Sequence, residues 1–300
     1  MGVKAIAKAA LNTLTDSRFR YYYRQRRIEN IERREQWAQR LSKTLPPAAQ
    51  PATAEAERLG TDGILPLPGL ITAEQVADMR AHFEAGRCSD PYRPALGSFR
   101  APGGAPAETH VAYFDNETVA AAPHALSITN DTRILSAVGA VLGAQPTISY
   151  MAAWWSLPGR GGAEHAELFH RDYDDLRFVK LFVYLTDVDA DSGPHAFIRG
   201  SHRTPKLMER RRFSTDEVGA NYPPEDHLEL SGPAGTAFLE NTFGLHRGIP
   251  PRSRPRLIFQ ALYSLAPYIG GPRKPVDSAI ARAGAASLDP YINRIYYQFA

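Results

Sequence analysis

A single cysteine, Cys88, in 300 residues excludes an intramolecular disulfide framework and the small secreted scaffolds that depend on one. No apolar run approaches the length of a membrane span, so no transmembrane helix is expected. The opening Met1-Gly2-Val3-Lys4-Ala5-Ile6 lacks the Ser or Thr that myristoylation favours, and Lys8 interrupts the apolar core a signal peptide needs. These absences together lead us to expect a cytoplasmic protein. A strong excess of one charge is missing too. Residues 1–58 hold twelve Lys/Arg against six Asp/Glu, so in a chain of net charge +3 the remainder is net −3. Even in that basic stretch Glu29, Glu32 and Glu35 alternate with Arg33 and Arg34, which suits ion pairs along a helix surface. No polybasic block stands free of acids, and we expect neither a nucleic-acid partner nor stable membrane insertion.

What is present is ordinary for a globular protein: 43% hydrophobic and 22% charged residues. Val3, Ile6, Ala10, Leu11 and Leu14 recur at helical spacing, as do Ile28, Ile31, Ala38, Leu41 and Leu45. Between them Arg18 to Arg27 reads as a basic, Tyr-rich join. Pro46-Pro47 ends the second helix, and Ala48 to Ala56 reads as an exposed linker. The expected role of this extension is to pack on the catalytic unit or on a second copy of the chain through Ile28, Ile31, Leu41 and Leu45. Thr72-Ala73-Glu74-Gln75 fits a capping box, with Ile71 and Val76 as its hydrophobic staple, and predicts a helix to about His82 or Phe83. Residues 88–108, rich in Pro, Gly and Ala, read as a long loop of the kind that forms lids. A further helix is expected from Asp131 to Leu142, stopped by Gly143 and Pro146. Strands dominate from Thr147 to Tyr263. Helices followed by an antiparallel run predict a mainly β fold closed into a barrel or sandwich and backed by helices.

The chemistry gathers around Phe169-His170-Arg171-Asp172. In an extended segment residues two apart share a face, so His170 and Asp172 present an imidazole and a carboxylate side by side. A third ligand is available at His246, after the strand-like run Gly235 to Leu239. Two histidines and one carboxylate on one face of a metal are the ligand set of non-haem Fe(II) oxygenases. Ten residues on, Arg256 opens an apolar run and could clamp a carboxylate in bidentate fashion, with Arg252 and Arg254 as rivals in turn-like surroundings. From Phe178 to Thr186 the odd positions are aliphatic, and the even positions, including Lys180, Phe182 and Tyr184, are mixed. The mixed face should look into the barrel and place Lys180, Phe182 and Tyr184 near the site. Tyr150 and Trp154 share a parity that fits either pocket lining or core. His165, an odd five residues before His170, should face away. His202 reads as structural, and His82, His110, His124, His195 and His227 read as surface or loop histidines.

These motifs resemble the phytanoyl-CoA dioxygenase family. The resemblance rests on His170-Arg171-Asp172, Thr186-Asp187-Val188-Asp189, Ser192-Gly193-Pro194, Gly200-Ser201-His202, and on His246 with Arg256; it covers roughly residues 57–265. It implies a double-stranded β-helix, the jelly-roll or cupin-like core, with 1–56 as a helical extension and 266–300 as a tail packed on that core. It implies Fe(II), 2-oxoglutarate and O₂ as cofactor and cosubstrates, with iron on His170, Asp172 and His246. Two open positions would go to the 1-carboxylate and keto oxygen of 2-oxoglutarate and the last to O₂. The far carboxylate then needs a buried cation, for which Arg256 is the choice. Halogenases of the superfamily carry Ala or Gly in place of the carboxylate ligand. Asp172 is present, so hydroxylation of a small molecule at an unactivated C–H bond is the expected outcome. A non-catalytic cupin-like binding protein is the alternative.

Overall fold

A computed structural model describes residues 16–49, 53–276 and 288–297. Among these, eleven strands run in chain order: β1 (Ile64–Pro66), β2 (Cys88–Ser89), β3 (Ser98–Phe99), β4 (Val111–Phe114), β5 (Thr147–Ser156), β6 (Phe178–Tyr184), β7 (His195–Ile198), β8 (His227–Leu230), β9 (Ala237–Glu240), β10 (His246–Gly248) and β11 (Arg256–Ser264). Eight form one antiparallel sheet in the order β1-β9-β6-β11-β5-β4-β2-β3; three form a second, β10-β7-β8. The long central strands β6 and β11 are buried along their whole length, which requires cover on both faces.

That cover is chemically divided, as the alternation in β6 predicts. Val179, Leu181 and Val183 join Leu59, Met79, Ile134 and Val138 in the main core, beneath the helices. Phe182 and Tyr184 point the other way and meet Phe197 of the second sheet, with Phe238 and Ile258. The result is a double-stranded β-helix whose interior lies between the two sheets.

The helices on the outer face are α1 (Ser17–Gln25), α2 (Ile31–Ser42), α3 (Ala54–Asp62), α4 (Ala73–Ala85), α5 (Asn116–Ala120), α6 (Ala125–Thr129) and α7 (Thr132–Leu142). The capping box at Thr72 forms with Gln75, and α4 buries Val76, Met79 and Phe83. Asp131 caps α7 and Gly143 ends it with φ 70°. At the end of α3, Gly63 has φ 80°, and a Cβ there would stand 2.6 Å from the His202 ring, so only glycine fits.

Three expectations are corrected. Arg18 to Arg27 is not merely a join: after the Asp16 cap, Ser17–Gln25 is helical. Its inward face carries Tyr21 and Gln25 rather than aliphatics, which apolar spacing does not register. The linker does not stay extended and exposed to Ala56, because α3 begins at Ala54 and buries Ala56. The loop 88–108 contributes β2 and β3 to the sheet, strands too short to have a readable period. The helix expected over residues 3–14 lies outside the described residues.

Ile28, Trp37, Leu41 and Leu45 of the extension pack on this chain's own core. Near the other terminus Tyr296 is buried, and its hydroxyl accepts from the Met151 amide at 2.5 Å. No described helix is long and apolar enough to cross a membrane.

Candidate metal centre

His170 and His246 lie opposite each other on neighbouring extended segments. Each donates its amide to the other's carbonyl at 3.0 Å. The Asp172 amide continues the pairing to Thr242 O at 2.9 Å. Alternation then sends His170 and Asp172 to one side and Arg171 to the other. Arg171 is buried there and donates to the carbonyls of Leu207, Ser201, Phe243 and Lys206 at 2.7–2.9 Å, fastening the segment from behind.

On the front side, His170 Nε2 stands 3.6 Å and His246 Nε2 3.3 Å from the Asp172 carboxylate. One atom from each of the three residues can be chosen so that all lie within 4.8 Å of one another. Facial ligands at bonds of about 2.1 Å are roughly 3 Å apart, so the set is nearly at ligating separation. The tautomers suit it as well. Nδ1 of His170 is 2.9 Å from Leu168 O, and Nδ1 of His246 is 3.0 Å from Gly244 O. A carbonyl only accepts, so each Nδ1 carries the proton and each Nε2 offers its lone pair. Burial, then the neighbouring His246, pushes the His170 pKa well below the usual histidine value, keeping it neutral.

Asp172 is half-buried, and desolvation opposes its charge, but Lys180 and His246 outweigh that and hold its pKa well below the ordinary value. Lys180 Nζ is 2.6 Å from Asp172 and 2.8 Å from Asp174. Burial works against the ammonium, and the two carboxylates overcome it and raise its pKa. Asp174 goes the other way, pushed up by burial and by the charge of Asp172, against the pull of Lys180.

A cavity of about 460 Å³ opens over this cluster. The inner faces of β5, β6 and β11 supply Tyr150, Trp154, Lys180, Phe182, Ile258 and Gln260 to its wall. Trp154 is held by stacking on Tyr113, with ring centroids 5.1 Å apart. Arg256 also lines the cavity and is 3% exposed. Its Nη2 donates to Ser156 Oγ at 3.2 Å, whereas Nε and Nη1 have no partner. A buried guanidinium with two idle N–H groups is costly unless an anion completes it. Burial depresses its pKa below the usual arginine value. Gly248 keeps the space beside it open, since a Cβ there would be 3.0 Å from Nη2. Arg252 and Arg254 do not line the cavity, and Arg254 pairs with Asp189 at the surface.

Tyr184 has the expected face but the wrong depth. Its hydroxyl donates to Leu230 O at 2.7 Å and accepts from the His195 amide at 3.1 Å, and it is not part of the cavity wall. His165 does not face away: it sits in a 3₁₀ turn, where strand parity has no meaning, and stacks on Tyr92 at the cavity mouth, centroids 3.7 Å apart. His202 is structural, its Nε2 3.0 Å from Gly60 O. His195 is not a surface histidine. It is 6% exposed, lines the cavity, and lies 3.0 Å from the buried carboxyl of Glu240, with its ring 5.6 Å from that of His246. Burial pushes Glu240 up to about 8 and His195 down to about 3. His110 is also buried, against Glu167 at 2.9 Å. Simple alternation could have found two of the missed groups, since Asp174 follows Asp172 by two residues and His195 precedes Phe197 by two.

A jelly-roll holding such a cluster between its sheets, with the buried and incompletely paired Arg256 in the same cavity wall, defines a class: the iron- and 2-oxoglutarate-dependent oxygenases. Within that class, residues 59–254 match the model of the phytanoyl-CoA dioxygenase family, and the chain belongs to it. Arg256 lies just past the matched segment. Solved structures share the fold. EctD from S. alaskensis, with 2-oxoglutarate and 5-hydroxyectoine, is 19% identical over 85% of this chain and 92% of that one, TM-score 0.52. HygX from Streptomyces hygroscopicus, with nickel and 2-oxoglutarate bound, is 16% identical over 71% and 87%, TM-score 0.50. The carbocyclase SnoK from nogalamycin biosynthesis is 18% identical over 73% and 86%, TM-score 0.50. No curated protein matches the chain. Iron and 2-oxoglutarate are the cofactor and cosubstrate of this family.

Proposed function

We propose that the chain is a hydroxylase of a small molecule, with Fe(II) held by His170 Nε2, Asp172 and His246 Nε2 and with the 5-carboxylate of 2-oxoglutarate held by Arg256. The observation that carries this is Arg256: a buried cation, short of two acceptors, in the wall of the same cavity as the three ligand atoms. When bound, iron and 2-oxoglutarate supply an oxidant from O₂, the keto acid leaving as succinate and CO₂. The chain supplies the setting. The Nδ1 bonds to backbone carbonyls aim both imidazoles. Lys180 keeps Asp172 ionised and ready to ligate. Phe182 and Ile258 give the cavity an apolar wall that would shield the bound keto acid from water, and Trp154 and Tyr150 continue that wall with aromatic surface available to a substrate. Because Asp172 is retained, the outcome we assign is hydroxylation rather than halogenation. The oxygenase unit spans residues 57–265, with 1–56 as an extension and 266–300 as a tail. The test is 2-oxoglutarate turnover with Fe(II) and ascorbate, screened against a metabolite library for substrate-stimulated succinate formation. Absence of any turnover by protein that binds iron and 2-oxoglutarate would leave a binding protein rather than an enzyme.

A further inference from the structure

The segment that carries Asp172 belongs to no strand. Between the His170–His246 bridge and the start of β6 at Phe178, residues 172–177 have no ladder partner to satisfy their carbonyls. Buried carbonyls must find donors somewhere. Those of Tyr173 and Asp175 find them in the extension. Gln25 Nε2, from the end of α1, donates to Tyr173 O at 2.5 Å. Arg34, from α2, donates to Asp175 O, and the Tyr21 hydroxyl donates to the Asp175 carboxylate. Arg34 also bonds Gln25 Oε1 at 2.9 Å and Gln25 O at 3.2 Å, and Tyr21 joins the pair through Asp175, which both it and Arg34 hold.

The same unit touches the other ligand strand. The Arg34 guanidinium lies 4.7 Å from the centre of the Phe243 ring and 5.3 Å from that of Tyr173. Phe243 follows Thr242, whose carbonyl takes the Asp172 amide. The Asp175 carboxylate in turn accepts from the Leu176 and Ala266 amides at 2.6 and 2.7 Å. Arg34 is 3% exposed and Gln25 2%, so these are interior groups, not a solvated basic face. One further contact reaches the cavity wall itself: Tyr22 of α1 meets Tyr268 edge-on at 5.7 Å, and Tyr268 lines the cavity. None of Tyr21, Gln25 and Arg34 falls within the segment that matches the family.

We propose that the N-terminal helices are a working part of the metal centre: Tyr21, Gln25 and Arg34 are positioning residues that hold the Asp172 segment in its ligating conformation. The inference rests on Asp172 and His246 being metal ligands. It makes the extension more than a stabilising appendage, because its grip is applied to the backbone one to three residues from a ligand.

The test uses the full-length chain and Co(II) as an optical stand-in for Fe(II), with the Kd read from the d–d absorption and the Tm of the metal-free protein measured beside it. Arg34→Ala removes bonds to a buried carbonyl and should raise the Co(II) Kd by about tenfold, the expected effect of one charge-assisted bond, and change the shape of the band. Arg34→Lys, which keeps the charge but not the fork, should restore part of the affinity. Leu41→Ala, a packing change in the same helix, should lower the Tm while leaving the Kd within about twofold, as a contact outside the network should. If Arg34→Ala fails to fold, Tyr21→Phe, which deletes one hydroxyl, carries the test and should weaken Co(II) in the same direction. An unchanged Kd in Arg34→Ala and Tyr21→Phe overturns the inference alone. So does a rise in Kd for Leu41→Ala equal to theirs at equal loss of Tm. Co(II) binding that survives His246→Ala undiminished removes the ligand assignment, and the inference with it.

Discussion

Arg256 offers the sharpest quantitative test. Its Nε and Nη1 are buried without acceptors, while Nη2 is already held by Ser156. Nε and Nη1 point to opposite sides, so a carboxylate arriving here pairs with one of them and with the second hydrogen of Nη2; these two charge-assisted bonds are each worth about 1.5–3 kcal/mol and not additive, so Arg256→Ala should cost roughly 2–3 kcal/mol of cosubstrate binding. That corresponds to a Kd for 2-oxoglutarate raised about thirty- to a hundred-and-fortyfold. Metal-free stability should change far less than for a paired interior arginine, because the substitution also removes an uncompensated buried charge. Arg256→Lys should fall between, retaining the charge but only a point donor. Ser156→Ala should cost no more than a few-fold, since Nη2 has its own partner to lose but the two free N–H groups remain. The assay is an anaerobic titration of the Fe(II) protein with 2-oxoglutarate, followed by its metal-to-ligand absorption band. A Kd within twofold of wild type in Arg256→Ala, with iron fully bound, would refute the reasoning and send the search for the carboxylate partner elsewhere in the cavity.

His170→Ala and His246→Ala should each lose stoichiometric iron when reconstituted without oxygen and measured by elemental analysis; a folded double variant with undiminished iron would end the ligand assignment. Lys180→Met should lower the Tm of the metal-free protein by breaking a buried ion pair, a change worth about 3–5 kcal/mol, yet enlarge the rise in Tm on adding metal, because the cation then supplies the missing countercharge; an equal or smaller rise contradicts this. Glu240, raised to about 8 by burial, stays protonated in the fold while the unfolded chain ionises near the ordinary carboxyl value. Its contribution is therefore full at low pH and is lost as pH climbs to about 8. Glu240→Gln should flatten the decline of metal-free Tm across that window, and parallel curves for the two proteins would count against a buried neutral Glu240.

The parts of the site that alternation governs could be read from the chain. His170 and Asp172 share a face because they are two apart, and Phe182 and Lys180 reach the cavity for the same reason. Parity gives a face, not a depth, which is why Tyr184 belongs to the layer of Leu230 rather than to the cavity wall. Register across strands is not written in any one segment. Nothing in Ala237–Glu240 says that Glu240 stands opposite Lys180, or that His195 of the other sheet meets it. The polar unit of Tyr21, Gln25 and Arg34 escaped for a related reason: its inward face is made of residues that apolar periodicity counts as outward. Where strands are long, as in β5, β6 and β11, the fold announces itself; the two-residue β2 exists only because β4 is there to pair with, and β3 only because β2 is.

The reciprocal amide bonds between His170 and His246 make the spacing of the two rings a property of backbone register. The chain between them is fastened to the ligand segment at several points: Arg171 holds the carbonyls of Lys206 and Leu207, and the Phe213 amide donates to Phe169 O at 2.9 Å. Between these anchors the exposed residues 209–212 carry Arg212 to the cavity mouth and make none of those bonds, so that turn can be rewritten while the gauge of the metal seat is kept. An engineer wanting a new substrate should rewrite the rim there and leave the paired histidines, and the arginine that fastens them from behind, alone.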